Sequence, residues 1–172
     1  TICIHKKAGR SRASMNHLSD IDSAYQKLKV RADLLYEFVI LYHNFIYSKH
    51  AYDAENFNMI EMHTLTYIND IPGITATELS RLWHKSKSSI SQTVKKLVEA
   101  GYVEKSHSEN NEKNALLYVT EKGQRLSNIH KAYDVADITQ TAEHLIGRCG
   151  QEDLDAFYRV LEEYVKLMKA EL

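Results

Sequence analysis

The segment from Arg81 to Val98 carries side chains suited to contact with a nucleic acid. It holds five basic residues and no acidic one, whereas the whole chain has a net charge of −1. Lysine neutralises backbone phosphates, and Gln92 has the paired donor and acceptor that bind adenine in the major groove. Short serine side chains let a helix approach the bases closely. We therefore predict that the following residues contact DNA: Lys85, Ser86, Lys87, Ser88, Ser89, Gln92, Thr93, Lys95 and Lys96.

Other chemistry has little support in the sequence. Among nine histidines, His43 and His50 could share a helix face, but they form no HxxxH pair, and we find no other grouping with the spacing of metal ligands. Cys3 and Cys149 form no CxxC motif; Cys3 lies in the basic stretch 1–14 and Cys149 near a helix break, and these positions argue against thiol-based oxidant sensing. We find no Ser/His/Asp set, paired carboxylates or glycine-rich phosphate loop. The sequence therefore predicts no enzyme, no metal and no cofactor.

Composition places the 172 residues among ordinary globular proteins, with 44% apolar and 26% charged residues. No apolar run is long enough to span a bilayer, and with only two cysteines we expect a cytoplasmic protein without membrane contact. Residues 1–14 differ from the rest because they are basic and rich in small residues. We treat them as an added or read-through leader, with a DNA-contacting arm as the alternative.

Helical patterns flank the basic segment. Apolar residues recur at three- and four-residue steps from about Ile21 to Ser48, and a second helix is predicted from about Asn58 to Ile71. A long helix is expected from Thr120 to about Ile146, followed after Gly147 and Gly150 by a last helix with one apolar stripe. We divide the chain into a leader (1–14), an N-terminal dimerisation helix (20–55), a DNA-binding domain (56–120) and C-terminal dimerisation helices (121–172).

Between these helices the pattern predicts a helix-turn-helix followed by a β-hairpin. Thr75 and Glu78 form a capping-box pattern, Ser86 is placed to cap the next helix, and Gly101 follows its end. Strand-like residues 102–107 and 115–119 enclose a polar loop, Ser108–Asn114. In the second helix Ile90, Val94, Leu97 and Val98 share one face, and Ser88, Gln92, Lys95 and Lys96 lie roughly opposite. The fold class is mainly α with a small β-hairpin wing, a winged helix-turn-helix whose second helix enters the major groove.

Residues 20–172 resemble the MarR (multiple antibiotic resistance regulator) family. Four motifs carry the resemblance: Thr-x-x-Glu-Leu from Thr75, Ser-Lys-Ser-Ser-Ile-Ser-Gln from Ser86, Leu-Val-Glu-Ala-Gly-Tyr-Val from Leu97 and Leu-Tyr-Val-Thr-Glu-Lys-Gly from Leu117. The family's wing usually carries an Asp-x-Arg pair whose Arg enters the minor groove. Those positions fall on Asn111 and Lys113 here, so the cation is kept but the planar guanidinium and its carboxylate partner are lost. Lys113 is then expected to contact a phosphate, with a solvated loop tip as the alternative.

The resemblance also implies a dimer and an effector. The apolar stripes of the first and last helices exceed what one small domain covers, which favours an intertwined homodimer on a pseudo-palindromic duplex site. Family members commonly bind small phenolic or lipophilic ligands between the dimerisation helices and the winged domain. The residues that would line such a pocket here are Tyr36, His43, Tyr47, Met62 and His63, with ordinary core packing as the alternative.

The sequence thus predicts a dimeric, sequence-specific DNA-binding transcriptional regulator, a repressor released by a small-molecule effector. Two alternatives share the fold. One is a metal-responsive regulator, and the other is a winged helix whose basic face binds an acidic protein.

Overall fold

The computed structural model describes residues 18–51, 56–108 and 111–171. The predicted leader 1–14, and Cys3 with it, lies outside these residues. The chain divides into two compact units, Thr1–Ser48 and Lys49–Leu172. Among the described residues, no helix combines the length and apolar character needed to cross a membrane.

The first unit is described as one helix, α1, which spans Leu18–Tyr47. The sequence predicted it from about Ile21. Aromatic side chains contact one another along it: the Phe38 and Tyr42 rings stack with their centroids 5.7 Å apart. Most of its large apolar side chains are exposed within the single chain, among them Leu28, Leu35, Val39 and Tyr42.

The second unit begins with a short hairpin that the sequence did not predict. β1 (Lys49–Ala51) pairs antiparallel with β2 (Asn56–Asn58). Its residues lack the alternating apolar pattern that marks longer strands. Asn58 then starts α2 (Met59–Asp70) with a capping box, because its side chain accepts a hydrogen bond from the Glu61 N–H and Glu61 accepts one from the Asn58 N–H.

The helix-turn-helix follows with the predicted caps. α3 (Ala76–Leu82) begins after Thr75, whose hydroxyl accepts from the Glu78 N–H at 3.2 Å. In return the hydroxyl and N–H of Thr75 donate to the Glu78 carboxylate, and these bonds lower the pKa of that carboxyl. α4 (Lys87–Glu99) starts after Ser86, whose hydroxyl caps the Ser89 N–H. Both capping predictions are confirmed.

The wing is a three-stranded sheet rather than the predicted two-stranded hairpin. β4 (Val103–Ser108) pairs with β5 (Asn111–Val119), and β3 (Ile74–Thr75) pairs with the other edge of β5. The predicted loop Ser108–Asn114 was too long, because Ser108 pairs with Asn111. Backbone pairing does not need apolar side chains, so the polar residues 111–114 extend β5 although their pattern resembles a loop.

Two long helices complete the unit. α5 (Glu121–Cys149) begins after Thr120, and α6 (Gln151–Lys169) follows Gly150. The break falls on Gly150 alone, since its φ of 93° suits only glycine, whereas the predicted breaker Gly147 stays inside α5. Leu154 is buried, but the rest of the apolar stripe of α6 is exposed in the single chain: Phe157, Tyr158, Leu161, Tyr164, Val165 and Met168.

The core of the second unit lies where α2, α3, α4, the sheet and the start of α5 meet. Its fully or nearly fully buried side chains include Phe57, Met62, Leu65, Ile68, Leu79, Ile90, Leu97, Tyr102, Leu117 and Leu126. The predicted fold class, mainly helical with a small β wing, is confirmed. This core fixes α4 on one side only, which leaves its other side in solvent.

Candidate nucleic-acid interface

α4 has one buried face and one polar exposed face. Ile90, Val94 and Leu97 are buried in the core. Ser88, Gln92 and Lys95 are exposed on the opposite side, and we call these three residues the reading face. The helical phase predicted from the sequence therefore agrees with the observed burial.

The turn before α4 presents the hydroxyl-rich start of this helix. His84 adopts a left-handed conformation with φ of 48°, and the Lys85 N–H donates to the Ser80 carbonyl at 3.0 Å. The Ser86 and Ser88 hydroxyls lie 3.0 Å apart and are exposed. Because the turn is held by backbone bonds, the direction of α4 is fixed relative to α3.

Lys95 is held only loosely within the chain. Its ammonium lies 3.6 Å from the Glu99 carboxylate one turn later, and both side chains are about two-thirds exposed. An exposed ion pair of this kind stabilises by about 0.5 kcal/mol or less. Lys95 can therefore exchange Glu99 for a phosphate or a guanine at small cost.

Lys96 has a different environment from the other predicted contacts. Its ammonium lies 2.8 Å from the Glu61 carboxylate of α2 and 4.7 Å from the centre of the Phe57 ring. The side chain is less than half exposed. The structure thus separates Lys96 from the reading face and gives it a contact that ties α4 to α2.

The remaining predicted contacts are distributed around α4. Lys87 is exposed, Lys85 is half-buried, and Ser89 and Thr93 are half-buried beside the reading face. Ser91 is exposed next to Gln92 but was missed. Its position one turn after Lys87 was the signal in the sequence that could have found it.

The predicted wing contacts can be placed only by their backbone. Asn111 begins β5 and Lys113 lies two residues further along the same strand. The side chains of both residues lie outside the described part of the structure, so their contact with DNA stays a prediction.

The residues predicted to line an effector pocket fall in both units. Tyr36, His43 and Tyr47 lie on α1, where the rings of His43 and Tyr47 are 4.5 Å apart. Met62 is fully buried in the core of the second unit, and His63 is partly exposed on α2. Burial of Met62 matches the core-packing alternative; the pocket itself stays a prediction.

A group of possible metal ligands, His63, His130 and Asp134, was missed in the sequence. One ligand atom from each lies within 4.8 Å of the other two. Nε2 of His63 is 3.7 Å and Nε2 of His130 is 3.4 Å from Oδ2 of Asp134. The prediction that the sequence holds no other grouping with metal-ligand spacing is therefore wrong, because His130 and Asp134 are four residues apart on α5 and share a face. We call these residues the His–Asp cluster.

Comparisons with known proteins agree with this architecture. Residues 56–113 match the model of the MarR family. A protein of Bacillus subtilis (strain 168), the uncharacterized HTH-type transcriptional regulator YhjH, is 28% identical over 75 residues. That match covers 44% of this chain and 43% of the relative, so it spans less than half the relative's length.

Solved structures share the fold over more of the chain. Streptococcus pneumoniae FabT in complex with DNA has a TM-score of 0.63 and 19% identity, covering 86% of this chain and 99% of its own. The zinc-responsive MarR family member ZitR of Lactococcus lactis also has a TM-score of 0.63, with 15% identity, covering 81% of this chain and 97% of its own. Residues 56–113 are therefore similar to the MarR family, and the chain shares the winged-helix fold of these solved structures.

Proposed function

We propose that the chain binds duplex DNA as a homodimer and reads an operator with the reading face of α4. The observation that carries this proposal is the polarity of α4: one side is locked into the core, and the other presents Ser88, Gln92 and Lys95 to solvent. An α-helix fits the major groove, where Gln pairs with adenine and Lys with guanine or phosphate. In support, the fold is shared with FabT, which was solved on DNA.

The exposed apolar faces support the dimer. α1 and α6 each expose a series of large apolar side chains in the single chain. Contiguous apolar surface of this kind is rare on monomers and marks an interface. Two copies related by a twofold axis would place two α4 helices about 34 Å apart, one duplex turn, on a pseudo-palindromic site.

Substitution of the reading face tests the DNA proposal. With an operator selected from random duplexes, Gln92→Ala and Lys95→Ala should each weaken binding by about 1–3 kcal/mol, or 5- to 150-fold. Fluorescence anisotropy of a labelled duplex measures the affinity, and sedimentation checks that the dimer persists. Arg125→Ala is the matched control, because Arg125 forms an exposed i,i+4 ion pair with Glu121 on α5.

Wild-type affinity in both reading-face variants would contradict the assignment. Tight binding to an acidic protein, together with weak and salt-insensitive DNA binding, would favour the protein-binding alternative.

We extend the proposal to a repressor that a small phenolic or lipophilic effector releases from DNA. Tyr36, His43, Tyr47, Met62 and His63 remain the proposed lining, which ligand-induced release of a labelled operator would test.

A second candidate function is regulation by a metal ion, because the His–Asp cluster joins α2 to α5. Imidazole nitrogen and carboxylate oxygen are common zinc ligands. In a tetrahedral site with bonds of about 2.1 Å the ligand atoms lie about 3.4 Å apart. The observed separations of 3.4 and 3.7 Å from Oδ2 of Asp134 are close to this value, and all three ligand atoms lie within 4.8 Å of one another. A bound ion would join α2 of the winged domain to α5 and polarise any fourth ligand.

The single tryptophan provides a direct readout of metal binding. The Trp83 ring centre lies 6.2 Å from that of His63. Zinc titration in competition with a chelator should change Trp83 fluorescence with a stoichiometry of one per chain. His63→Ala and Asp134→Asn should each weaken binding at least tenfold, since each removes a direct ligand. His144→Ala should leave zinc binding unchanged, because His144 is an exposed histidine of α5 outside the cluster.

Measuring operator affinity with zinc and with chelator then separates regulation from simple binding. The operator affinity with zinc is divided by the affinity with chelator. If this ratio differs from one in the wild type but is near one in His63→Ala, the metal-responsive function is supported. Failure of the wild type to bind zinc more tightly than the His63→Ala variant would reject it.

A further inference from the structure

A groove of about 250 Å³ lies between α3, α4 and the wing. Among the residues whose side chains the structure describes, its lining contains two lysines, three hydroxyl side chains and a small apolar floor, but no carboxylate. The lining residues are Thr75, Ala76, Thr77, Lys87, Ser91, Val94, Lys105, Ala115 and Leu117. We call this space the wing groove.

The wing groove borders α4 on a different flank from the reading face. Lys87, Ser91 and Val94 follow one another at helical spacing along α4, and Val94 is buried while the first two are exposed. Each residue of the reading face directly follows one of these three in the chain, so the reading face is rotated by about 100° around the helix. α4 therefore presents two polar strips, one directed outward and one directed towards the wing.

The opposite wall of the groove comes from the sheet. Lys105 lies two residues after the buried Val103, so the two side chains share a face of β4. Glu104 points to the other face of the same strand and is absent from the groove lining. The strand alternation thus places the Lys105 side chain on the groove side of β4 and the neighbouring Glu104 side chain on the other.

The hydroxyl groups differ in their availability. The Thr75 hydroxyl is bonded to Glu78, where it completes the cap of α3. Thr77 and Ser91 come from two different helices and face the groove from separate sides. Two cations and two further hydroxyls around one space form a recognition set for a tetrahedral anion.

On DNA, the position of this groove determines which anion it meets. With α4 in the major groove and the wing beside it, the phosphate backbone that separates the two DNA grooves must pass between them. We infer that the wing groove binds one backbone phosphate, with Lys87 and Lys105 as cations and Thr77 and Ser91 as hydroxyl donors. The inference rests on the proposed DNA binding and adds Lys105, Thr77 and Ser91 to the interface.

Salt dependence tests the inference. Releasing one condensed counterion contributes about 0.9 to the slope of log K against log salt, which is about fivefold in affinity near 0.15 M. Lys105→Ala should therefore lower affinity about fivefold and reduce the slope by about 0.9. The loss should be equal on operator and unrelated duplexes, because a phosphate carries no sequence information. Lys105→Arg should restore most of the slope.

Two comparisons make the result decisive. Lys169→Ala removes an exposed lysine at the end of α6 and should leave the slope unchanged. Gln92→Ala should lower operator affinity but not affinity for unrelated duplexes. If the wild-type protein binds duplex DNA and Lys105→Ala has the same salt slope as the wild type, the groove assignment alone is overturned. Absence of salt-dependent duplex binding by the wild type overturns the DNA function, and the groove assignment with it.

Discussion

Gly123→Ala is expected to destabilise the winged domain by about 3 kcal/mol or more, because the site has no room for a methyl group. A Cβ atom at this position would lie 2.0 Å from the carbonyl oxygen of Tyr102 and 3.4 Å from Cδ1 of Leu65. The carbonyl is backbone and cannot rotate away. It also accepts the Thr120 N–H at 3.0 Å, so moving it would break the bond that starts α5.

Gly147→Ala is the matched control in the same helix. Nothing lies within 4 Å of a Cβ built at Gly147, which is exposed and helical. Alanine should therefore stabilise by about 0.5–1 kcal/mol. Thermal unfolding at one fixed protein concentration measures both variants, since a dimer's stability depends on concentration. Equal stability of Gly123→Ala and wild type would show that α5 does not start against Tyr102 as described.

Glu61→Ala is expected to cost about 2–3 kcal/mol, because one carboxylate makes two contacts in a largely buried position. Oε2 of Glu61 accepts the Asn58 N–H at 2.9 Å and the Lys96 ammonium at 2.8 Å. The Glu61 side chain is only 14% exposed, so its removal leaves Lys96 above the Phe57 ring without its counter-charge. The capping box of α2 loses one of its two bonds at the same time.

Comparing neighbouring lysines tests the same contact from α4. Lys96→Met keeps the apolar stem over Phe57 and should lower stability by about 1 kcal/mol, with little change in the salt slope of DNA binding. Lys95→Met should leave stability unchanged and reduce the salt slope of DNA binding by about 0.9. Denaturant unfolding and anisotropy at several salt concentrations measure the two quantities. A reduced slope in Lys96→Met would restore Lys96 to the DNA interface.

The parts of the fold that could be predicted from the sequence are those set by local chemistry. Thr75 with Glu78 and Ser86 with Ser89 form caps within four residues, so their pattern is visible in the chain. The phase of α4 follows from its apolar residues alone. The caps set where α3 and α4 begin, and the phase sets which face of α4 is exposed; neither depends on a tertiary contact.

The parts that could not be predicted depend on contacts between distant residues. Lys96 was assigned to DNA from its charge, but it lies 35 residues from its partner Glu61 in the chain, and helical phase does not reveal that partner. His63 meets His130 and Asp134 only because α2 packs against α5. β3 is two residues long and too short to carry an alternating pattern, so its pairing with β5 appears only in the folded sheet.

Hydrogen bonds at the junction between α4 and α5 couple the movement of one helix to that of the other. The Thr120 hydroxyl donates to the Gly101 carbonyl at 2.8 Å, its N–H donates to Tyr102, and the Lys122 ammonium donates to the Ala100 carbonyl at 3.0 Å. The end of α4 is thus fastened to the start of α5, whose 29 residues extend about 43 Å. Tilting this arm by about 5° about its Cys149 end would carry the end of α4 about 4 Å, close to the rise of one base pair, about 3.4 Å.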